Sequence, residues 1–246
     1  MIPLRDANPT RGTPFVTIAL IIACFVAFGW ELGLLASGGS PALEVFVTSW
    51  AIVPADLVAA WSSGTDTARE SLTLVTSQFL HGSWVHILSN LLYLWIFGNN
   101  IEDRLGRLAF LGFYLLGGIV AGLTQVAIDP TSDVPMIGAS GAIAATLGAY
   151  LVLYPRARIT SLVFLGFFYQ LIDVPAIIVL AFWIVLQLID GVASLGVGGA
   201  GGGVAFFAHI GGFAFGLVVA GIVRLASGRG ARGRSTDGPT GPLAVG

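Results

Sequence analysis

The sequence predicts an all-α, polytopic membrane protein in which six transmembrane helices form one bundle. Three observations favour this class. Of the 246 residues, 56% are hydrophobic and only 10% are charged, whereas soluble domains carry about 25% charged residues. Six apolar segments have the length of a membrane span, and almost all of the arginines fall on one side of those spans.

The composition also excludes several classes of protein. The formal net charge is -2 and all eleven basic residues are arginines, so no excess of positive charge favours nucleic-acid binding. Cys24 is the single cysteine, which rules out an intrachain disulfide and does not indicate a thiolate metal site. The sequence contains no H-E-x-x-H motif, so it gives little support to a zinc protease.

The six spans are predicted from length and hydrophobicity, because a helix needs about 20 residues to cross the roughly 30 Å hydrocarbon core. They are residues 14–35, 85–101, 107–128, 138–154, 174–190 and 206–226. The first span follows an N-terminal segment, 1–13. It is longer than the apolar part of a signal peptide, about 7–15 residues, so we expect it to be retained as a membrane helix.

Three other segments complete the predicted organisation. Residues 36–84 are expected to form a membrane-associated loop, because tryptophans favour the membrane interface and this segment contains Trp50, Trp61 and Trp84. Residues 159–173 are apolar but too short for a span, so we expect a surface-lying or partly inserted connection that ends at Pro175. Residues 227–246, rich in Gly, Pro and Arg, are predicted to be a disordered tail after the membrane domain, 14–226.

The arginines predict the orientation of the chain. With six spans, Arg69 alone lies on one side of the membrane. The other ten lie on the opposite side, which the positive-inside rule assigns to the cytoplasm together with both termini. They are Arg5, Arg11, Arg104, Arg107, Arg156, Arg158, Arg224, Arg229, Arg232 and Arg234. We expect the chain to lie in a bacterial-type inner membrane.

Polar residues of the apolar segments gather at one predicted depth. The second, fourth and sixth spans run in the same direction, so their first residues lie near the same face of the membrane. Near those three ends lie His81, His86, Asn90, Ser140 and His209. An ionisable residue in a membrane span is costly and is by default a functional hypothesis.

These residues suggest a serine hydrolase. A serine hydroxyl is a weak nucleophile unless a base accepts its proton, and His209 lies on another span at the same depth as Ser140. His86 and Asn90 are one helical turn apart and share a helix face. With the Ser140 amide at a helix N-terminus, they form a predicted oxyanion hole.

Glycines on the fourth and sixth spans favour close helix packing. Gly148 lies on the face that carries Ser140, while Gly212 and Gly216 form a GxxxG pair after His209. Such residues let two transmembrane backbones approach closely. We expect this approach to bring Ser140 and His209 within hydrogen-bonding distance.

Each of these signals has a structural interpretation when it is taken alone. Ser140 then serves as a small packing residue, His209 bonds a carbonyl group at the interface, and His86 and Asn90 join two helices. These interpretations do not explain why the groups gather at one depth. The soluble G-x-S-x-G elbow does not apply, because no strand precedes Ser140 and the final glycine is missing.

At these residues the chain resembles the rhomboid family of intramembrane serine proteases. The resemblance covers about residues 80–224 and rests on an ordered set of motifs: His86-x-x-x-Asn90, Gly138-Ala139-Ser140-Gly141 and Ala208-His209-x-x-Gly212-x-x-x-Gly216. It implies a six-helix bundle, a Ser140/His209 dyad and oxyanion stabilisation by His86 and Asn90. It also implies that Gly138, Gly141 and His81 support the site, and that no metal or cofactor is needed.

The resemblance further implies that the substrates are other membrane proteins, cut in or beside their transmembrane segments within the lipid bilayer. Substrate access near the fifth span is expected, with the glycine-rich segment 193–207 as a mobile cover. Ala144 departs from the family pattern, in which an aromatic residue stacks on the catalytic imidazole. We expect either that Phe206, Phe207 or Phe213 takes over this contact, or that the ring is held less firmly.

Two other functions stay open. A non-catalytic rhomboid-like chaperone or client-binding protein would use the same bundle to recognise unstable helices, but it would not need both Ser140 and His209. A small-solute transporter is disfavoured, because the sequence shows no inverted repeat and no midplane carboxylates.

Overall fold

The computed structural model describes residues 2–165, 168–195 and 205–233, and most of them are helical. The helices are α1 Phe15–Trp50, α2 Pro54–Ser63, α3 Thr67–Thr76, α4 Trp84–Tyr93, α5 Asn99–Leu105, α6 Arg107–Ile128, α7 Ser140–Leu153, α8 Ala176–Leu195 and α9 Phe206–Gly233. A 3-10 turn, Ser77–Phe79, precedes α4, and a π-helical turn, Leu94–Gly98, joins α4 to α5. The strands are β1 Ile2–Asp6, β2 Arg158–Leu165 and β3 Phe168–Pro175.

The helices confirm the predicted class of polytopic membrane protein. Within the described ranges, four helices are long and apolar enough to cross a bilayer: Phe15–Trp50, Arg107–Ile128, Ala176–Ser194 and Phe206–Ala226. The other two predicted spans correspond to the broken helix from Trp84 to Leu105 and to the shorter apolar helix α7. The count of six spans stays a prediction.

The segment predicted as a loop, 36–84, is largely helical. Helix α1 continues through it to Trp50 and is interrupted at Gly39, where φ is +67°, two residues before Pro41. Proline lacks the amide that an α-helix requires and clashes with the preceding turn, which accounts for a break at this place. Helices α2 and α3 occupy most of the remaining segment.

The predicted connection at residues 159–173 is a β-hairpin that ends at Pro175, and its depth in the bilayer stays a prediction. These residues form an antiparallel hairpin of β2 and β3, and β2 also pairs with β1 from the N-terminal segment. β-branched and aromatic side chains favour strands, and the hairpin is rich in both. Ile159 and Ser161 alternate as buried residues along β2, a period of two that hydrophobicity alone did not reveal.

Polar contacts attach the small sheet to the bundle. The Asp6 carboxylate accepts hydrogen bonds from the Tyr150 hydroxyl at 2.8 Å and from Asn100 Nδ2 at 2.6 Å. Burial raises the pKa of the Asp6 carboxyl above its ordinary value, and these hydrogen bonds oppose the shift. Strand β1 therefore lies beside the start of α5 and the second half of α7.

Several helix termini lie together at one end of the bundle. The buried Glu102 carboxylate in α5 accepts hydrogen bonds from the amides of Val16 and Thr17 at 3.0 and 2.8 Å, which caps the start of α1. At the same end, Arg224 of α9 donates to the Val152 carbonyl of α7 at 3.2 Å. Ser140 and His209 therefore lie at the opposite end of α7 and α9.

Helices α7 and α9 approach each other backbone to backbone along a surface that we call the α7–α9 seam, lined by Gly141, Ala145 and Gly148 of α7 and Gly212 and Gly216 of α9. A Cβ atom added to Gly216 would overlap the carbonyl oxygen of Ala145, and one added to Gly212 would overlap that of Gly141. A Cβ atom on Gly148 would meet the backbone of Phe213. Only glycine permits this approach.

The end of the chain differs from its prediction as well. Helix α9 continues to Gly233, into the segment 227–246 that was predicted to be disordered. Residues 234–246 lie outside the described part of the chain.

Candidate active site

Ser140 and His209 are in direct contact. Ser140 is the first residue of α7, and its Oγ lies 2.7 Å from Nε2 of His209, near the start of α9. Both side chains are half-buried. Ser140 and His209 meet because the backbones of α7 and α9 are in contact within three residues of each of them. A Cβ atom added to Gly212 would overlap the backbone of Gly141. A serine hydroxyl bonded to an imidazole nitrogen is the arrangement that activates a nucleophile.

Gln187 of α8 holds the other side of the imidazole. Its Oε1 lies 2.6 Å from His209 Nδ1. An amide oxygen can only accept a hydrogen bond, so this contact places the imidazole proton on Nδ1. Nε2 is then free to accept the proton of Ser140, which is the tautomer that a general base requires.

Trp183, one turn before Gln187 on α8, supplies an aromatic contact to the same imidazole. The ring centroids of Trp183 and His209 are 5.8 Å apart, with planes tilted by 42°. None of the three phenylalanines considered from the sequence has a ring contact with His209 in the described residues, although Phe213 packs on Trp183 at 6.1 Å. Position 144 is a buried alanine, so the aromatic contact to His209 comes from α8 and not from α7.

His86 and Asn90 face the turn that leads into α7. A Cβ atom built on Gly138 would lie 2.7 Å from His86 Nε2 and 3.5 Å from Asn90 Nδ2. Gly138 has φ of +125°, a conformation that favours glycine. Both nitrogens therefore lie beside the backbone two residues before Ser140.

The side-chain amide nitrogen of Asn90, Nδ2, has no hydrogen-bond partner among the described residues although Asn90 is buried. Buried donors are nearly always satisfied, and an unsatisfied one requires an explanation. A donor that points to the place where negative charge develops during a reaction would provide such an explanation. Asn90 Nδ2 is one of four such buried side-chain atoms in the described residues, and it lies beside the turn that leads to Ser140.

His81 is buried behind His86. Their ring centroids are 5.1 Å apart in an edge-on arrangement, and His81 Nδ1 lies 3.1 Å from the Phe79 carbonyl oxygen. The His81 amide donates to the carboxylate of Glu31, in α1, at 3.2 and 3.3 Å. Glu31 is a buried carboxylate that the sequence analysis overlooked, and it holds the segment that precedes α4.

The start of α9 is held by a second carboxamide. Gln125 of α6 accepts hydrogen bonds through Oε1 from the amides of Phe207 and Ala208, at 3.1 and 3.3 Å. These are among the first amides of the helix, which have no partner within it. Gln125 thereby fixes the turn that carries His209. Gly141, also predicted to support the site, packs on Ala121 of α6.

Gln125 and Gln187 were both missed by the sequence analysis, although a signal for them exists. Each is a polar residue within a predicted apolar span, as Ser140 and His209 are. The two glutamines lie on the third and fifth predicted spans, away from the ends of the second, fourth and sixth spans where the other polar residues gather.

Most of the predicted cover, residues 196–204 of the segment 193–207, lies outside the described part of the chain. Within residues 2–165, 168–195 and 205–233, no group of three or more His, Cys, Asp or Glu side chains has an arrangement that could hold a metal ion.

Comparisons with known proteins found a matching family model and several relatives. The family model described as "Rhomboid domain" matches residues 68–226, which is well over half of the chain. The chain is 32% identical over 105 residues to presenilin-associated rhomboid-like protein A, mitochondrial, of Danio rerio, a match that covers 42% of this chain and 27% of the relative. It is 30% identical over 103 residues to rhomboid protein 1, mitochondrial, of Saccharomyces cerevisiae, covering 40% and 30%.

A third relative, rhomboid-like protein 11, chloroplastic, of Arabidopsis thaliana, is 39% identical over 69 residues, with coverage of 28% and 24%. The matches therefore span about a quarter to a third of the length of these relatives. Together with the apolar helices, they establish an integral membrane protein.

Proposed function

The chain belongs to the rhomboid family, and from that premise we propose that it is an intramembrane serine endopeptidase with a Ser140/His209 dyad. The family includes serine proteases that act within membranes. The observation that carries the proposal is the 2.7 Å contact between Ser140 Oγ and His209 Nε2. The orientation of the imidazole by Gln187 supports it.

In the proposed reaction, Ser140 Oγ attacks the carbonyl carbon of a peptide bond while its proton moves to His209 Nε2. The tetrahedral intermediate carries a negative oxygen, which the Asn90 amide, the His86 ring and the Ser140 backbone amide stabilise. His209 then donates its proton to the leaving amine. Water hydrolyses the acyl-enzyme by the same path, with His209 again accepting a proton.

Gln187 does not touch the substrate in this scheme. It fixes the tautomer of His209 and accepts a hydrogen bond from Nδ1–H throughout the reaction, so it orients the base. No described carboxylate bonds His209 Nδ1, and the amide oxygen of Gln187 occupies that place.

We also propose that the substrates are transmembrane proteins and that both termini face the cytoplasmic side. The start of α1 and the ends of α5, α7 and α9 lie at one end of the bundle, and the arginines of that end support this orientation. The bacterial-type inner membrane expected from the sequence draws no support from the relatives above, whose names place them in mitochondria and chloroplasts.

The proposal is tested with a reporter substrate that carries one transmembrane segment, reconstituted with the protein in vesicles. Ser140→Ala and His209→Ala should each abolish cleavage while the protein still inserts and folds. Ser89→Ala removes an exposed hydroxyl on α4 whose partner among the described residues is the His86 carbonyl, and it should cleave at the wild-type rate.

Retained cleavage in Ser140→Ala would refute the dyad. If the wild-type chain binds unstable transmembrane helices without cutting any of them, the non-catalytic chaperone function is favoured instead.

A further inference from the structure

A pocket lined by arginines opens at the end of the bundle opposite Ser140. Its volume is about 550 Å³. The arginines come from four different parts of the chain, and the remaining lining is contributed by the start of the chain and the segment after α7. The arginines are Arg11, Arg104, Arg156 and Arg224.

The pocket lies far from the proposed active site. Helix α7 begins at Ser140, and the pocket is lined by residues from Leu153 to Ala157. At 1.5 Å per residue, these positions are about 20 Å apart along the helix. The pocket therefore belongs to the opposite face of the membrane domain, at the level where spans end and lipid headgroups begin.

The positive charges in the pocket outnumber the negative charges nearby. Tyr154 is part of the lining. Its hydroxyl interacts electrostatically with the carboxylates of Asp6 and Asp103, and also with Arg11 and Arg104. Asp103 accepts a hydrogen bond from the backbone amide of Arg11 at 3.1 Å and thereby positions that residue. The described residues that line the pocket include four arginines and no aspartate or glutamate, so the lining is positively charged.

Two of the arginines are available to a ligand. In the described part of the chain, no ion pair joins Arg11 or Arg156 to a carboxylate, and the ion pair that is present joins Arg69 to Glu70 at 2.9 Å. Arg11 and Arg156 are both exposed. Arg224 is fixed by its hydrogen bond to Val152, which places a third guanidinium at the rim.

The orientation of membrane proteins explains why arginines occupy this side of the bilayer, but it does not require four of them to converge on one cavity. We propose that this pocket binds the phosphate of an anionic phospholipid headgroup. Guanidinium groups bind phosphate oxygens through paired hydrogen bonds, and basic pockets between membrane helices are suited to anionic headgroups. This site is independent of the proposed protease activity.

The test measures lipid binding to the full chain in neutral detergent by native mass spectrometry. The probes are dihexanoylphosphatidylglycerol and its zwitterionic counterpart, dihexanoylphosphatidylcholine. Phosphatidylglycerol should bind more tightly. Each arginine near a membrane surface contributes about a fivefold change in affinity, so Arg11→Gln and Arg156→Gln should each weaken phosphatidylglycerol binding by about that factor.

Two variants serve as controls. Arg69→Gln removes a positive charge from α3, away from the pocket, and should not change the affinity. Arg156→Lys keeps the charge but loses the paired hydrogen bonds of the guanidinium, so its affinity should lie between those of wild type and Arg156→Gln. Circular dichroism confirms that each variant is folded, which separates loss of a ligand contact from loss of structure.

Equal affinities for the two lipids would overturn the proposal, and so would an equal loss of binding in Arg69→Gln. A competition with inorganic phosphate distinguishes the two sources of this chemistry. If inorganic phosphate displaces the lipid at an equal concentration, the pocket is a site for free phosphate and the assignment to a lipid is wrong.

Discussion

The α7–α9 seam and the contact of α8 with α9 position the same imidazole in two different ways. In the seam the backbones touch, and every residue of α7 from Gly141 to Tyr150 is buried. Helix α8 instead reaches His209 through two side chains, Trp183 and Gln187, while much of its surface is exposed to the surroundings.

This difference separates two requirements of the proposed chemistry. The distance between Ser140 and His209 is set by a contact that tolerates no added atom, because glycines meet backbone carbonyls there. The hydrogen bond that fixes the tautomer of His209 comes from Gln187 of α8, a helix with few buried residues. Movement of α8 would therefore change the orientation of the base without separating the reacting pair.

The largest effect is expected from damage to the seam. In Gly216→Ala the added Cβ overlaps the backbone of Ala145, so the helices must separate. A displacement of about 1 Å at reacting groups can cost about 100-fold in rate, and overpacking lowers stability by about 1–3 kcal/mol. Cleavage rate and thermal unfolding in detergent measure the two effects.

The matched control for that substitution is Gly221→Ala on the same helix. A Cβ atom at Gly221 would meet nothing within 4 Å, and alanine is the better helix former. Equal losses in the two variants would show that helix α9 tolerates no change at glycine and that the seam has no special role.

A smaller effect is expected when the orientation of the base is lost. Gln187→Leu removes the acceptor of the Nδ1 proton and leaves a partly buried donor unpaired, which costs about 1–3 kcal/mol. The cleavage rate should fall by about tenfold or more. Folding should be preserved, as judged by circular dichroism.

Gln187→Glu keeps an acceptor at the same position and should restore most of the rate. Leu188→Ala, an exposed neighbour on α8, should behave as wild type. A rate for Gln187→Leu equal to that of wild type would mean that His209 needs no partner at Nδ1.

Loss of the aromatic contact should have a milder effect. Ring contacts of this kind contribute about 0.5–1.5 kcal/mol beyond burial, so Trp183→Leu should lower the rate by roughly two- to tenfold. The substitution Ala144→Phe places an aromatic ring on α7 instead, but Ala144 is fully buried and this change should destabilise the bundle. A rescue of Trp183→Leu by Ala144→Phe would contradict that expectation.

The smallest effect on the chemical step is expected when an engineered disulfide joins α8 to α9. A Cβ atom on Gly191 would lie 3.3 Å from that of Phe206, close to the separation of about 3.5–4.5 Å found in disulfides. In a Cys24→Ser background, Gly191→Cys with Phe206→Cys should form a cross-link that a reductant reverses. Cleavage of a transmembrane reporter should slow if substrates enter beside α8, while reaction of Ser140 with a small probe should not.

Unchanged cleavage in the oxidised form would show that substrates reach the site without movement of α8 at this end. The single-cysteine variants, treated in the same way, reveal any effect of the substitutions themselves.

The sequence predicted those parts of the fold that depend on hydrophobic length. The span at 107–128 coincides with α6, and the GxxxG pair of Gly212 and Gly216 lies in a close helix contact. The same criterion excluded residues 159–173 as a span but gave no secondary structure for them, because it measures how apolar a segment is and not its period. The continuation of α1 to Trp50 was missed because it lies beyond the apolar run.

For the site, sequence spacing could relate residues within one helix but not across helices that pack without a motif. His86 and Asn90 were paired by their spacing, and Ser140 and His209 by their depth. The partners of His209 on α8 follow from the rotation of that helix, which the sequence does not specify. The orphaned Asn90 amide likewise becomes visible only when its surroundings are known.

The most direct measurement of the central claim is the reaction of Ser140 with a fluorophosphonate probe in the folded protein, because it requires no natural substrate. We predict that wild type is labelled at Ser140, that Ser140→Ala is not labelled, and that His209→Ala loses nearly all labelling although it is folded. Equal labelling of Ser140 in His209→Ala and in wild type would contradict the account, because the serine would then react without its base.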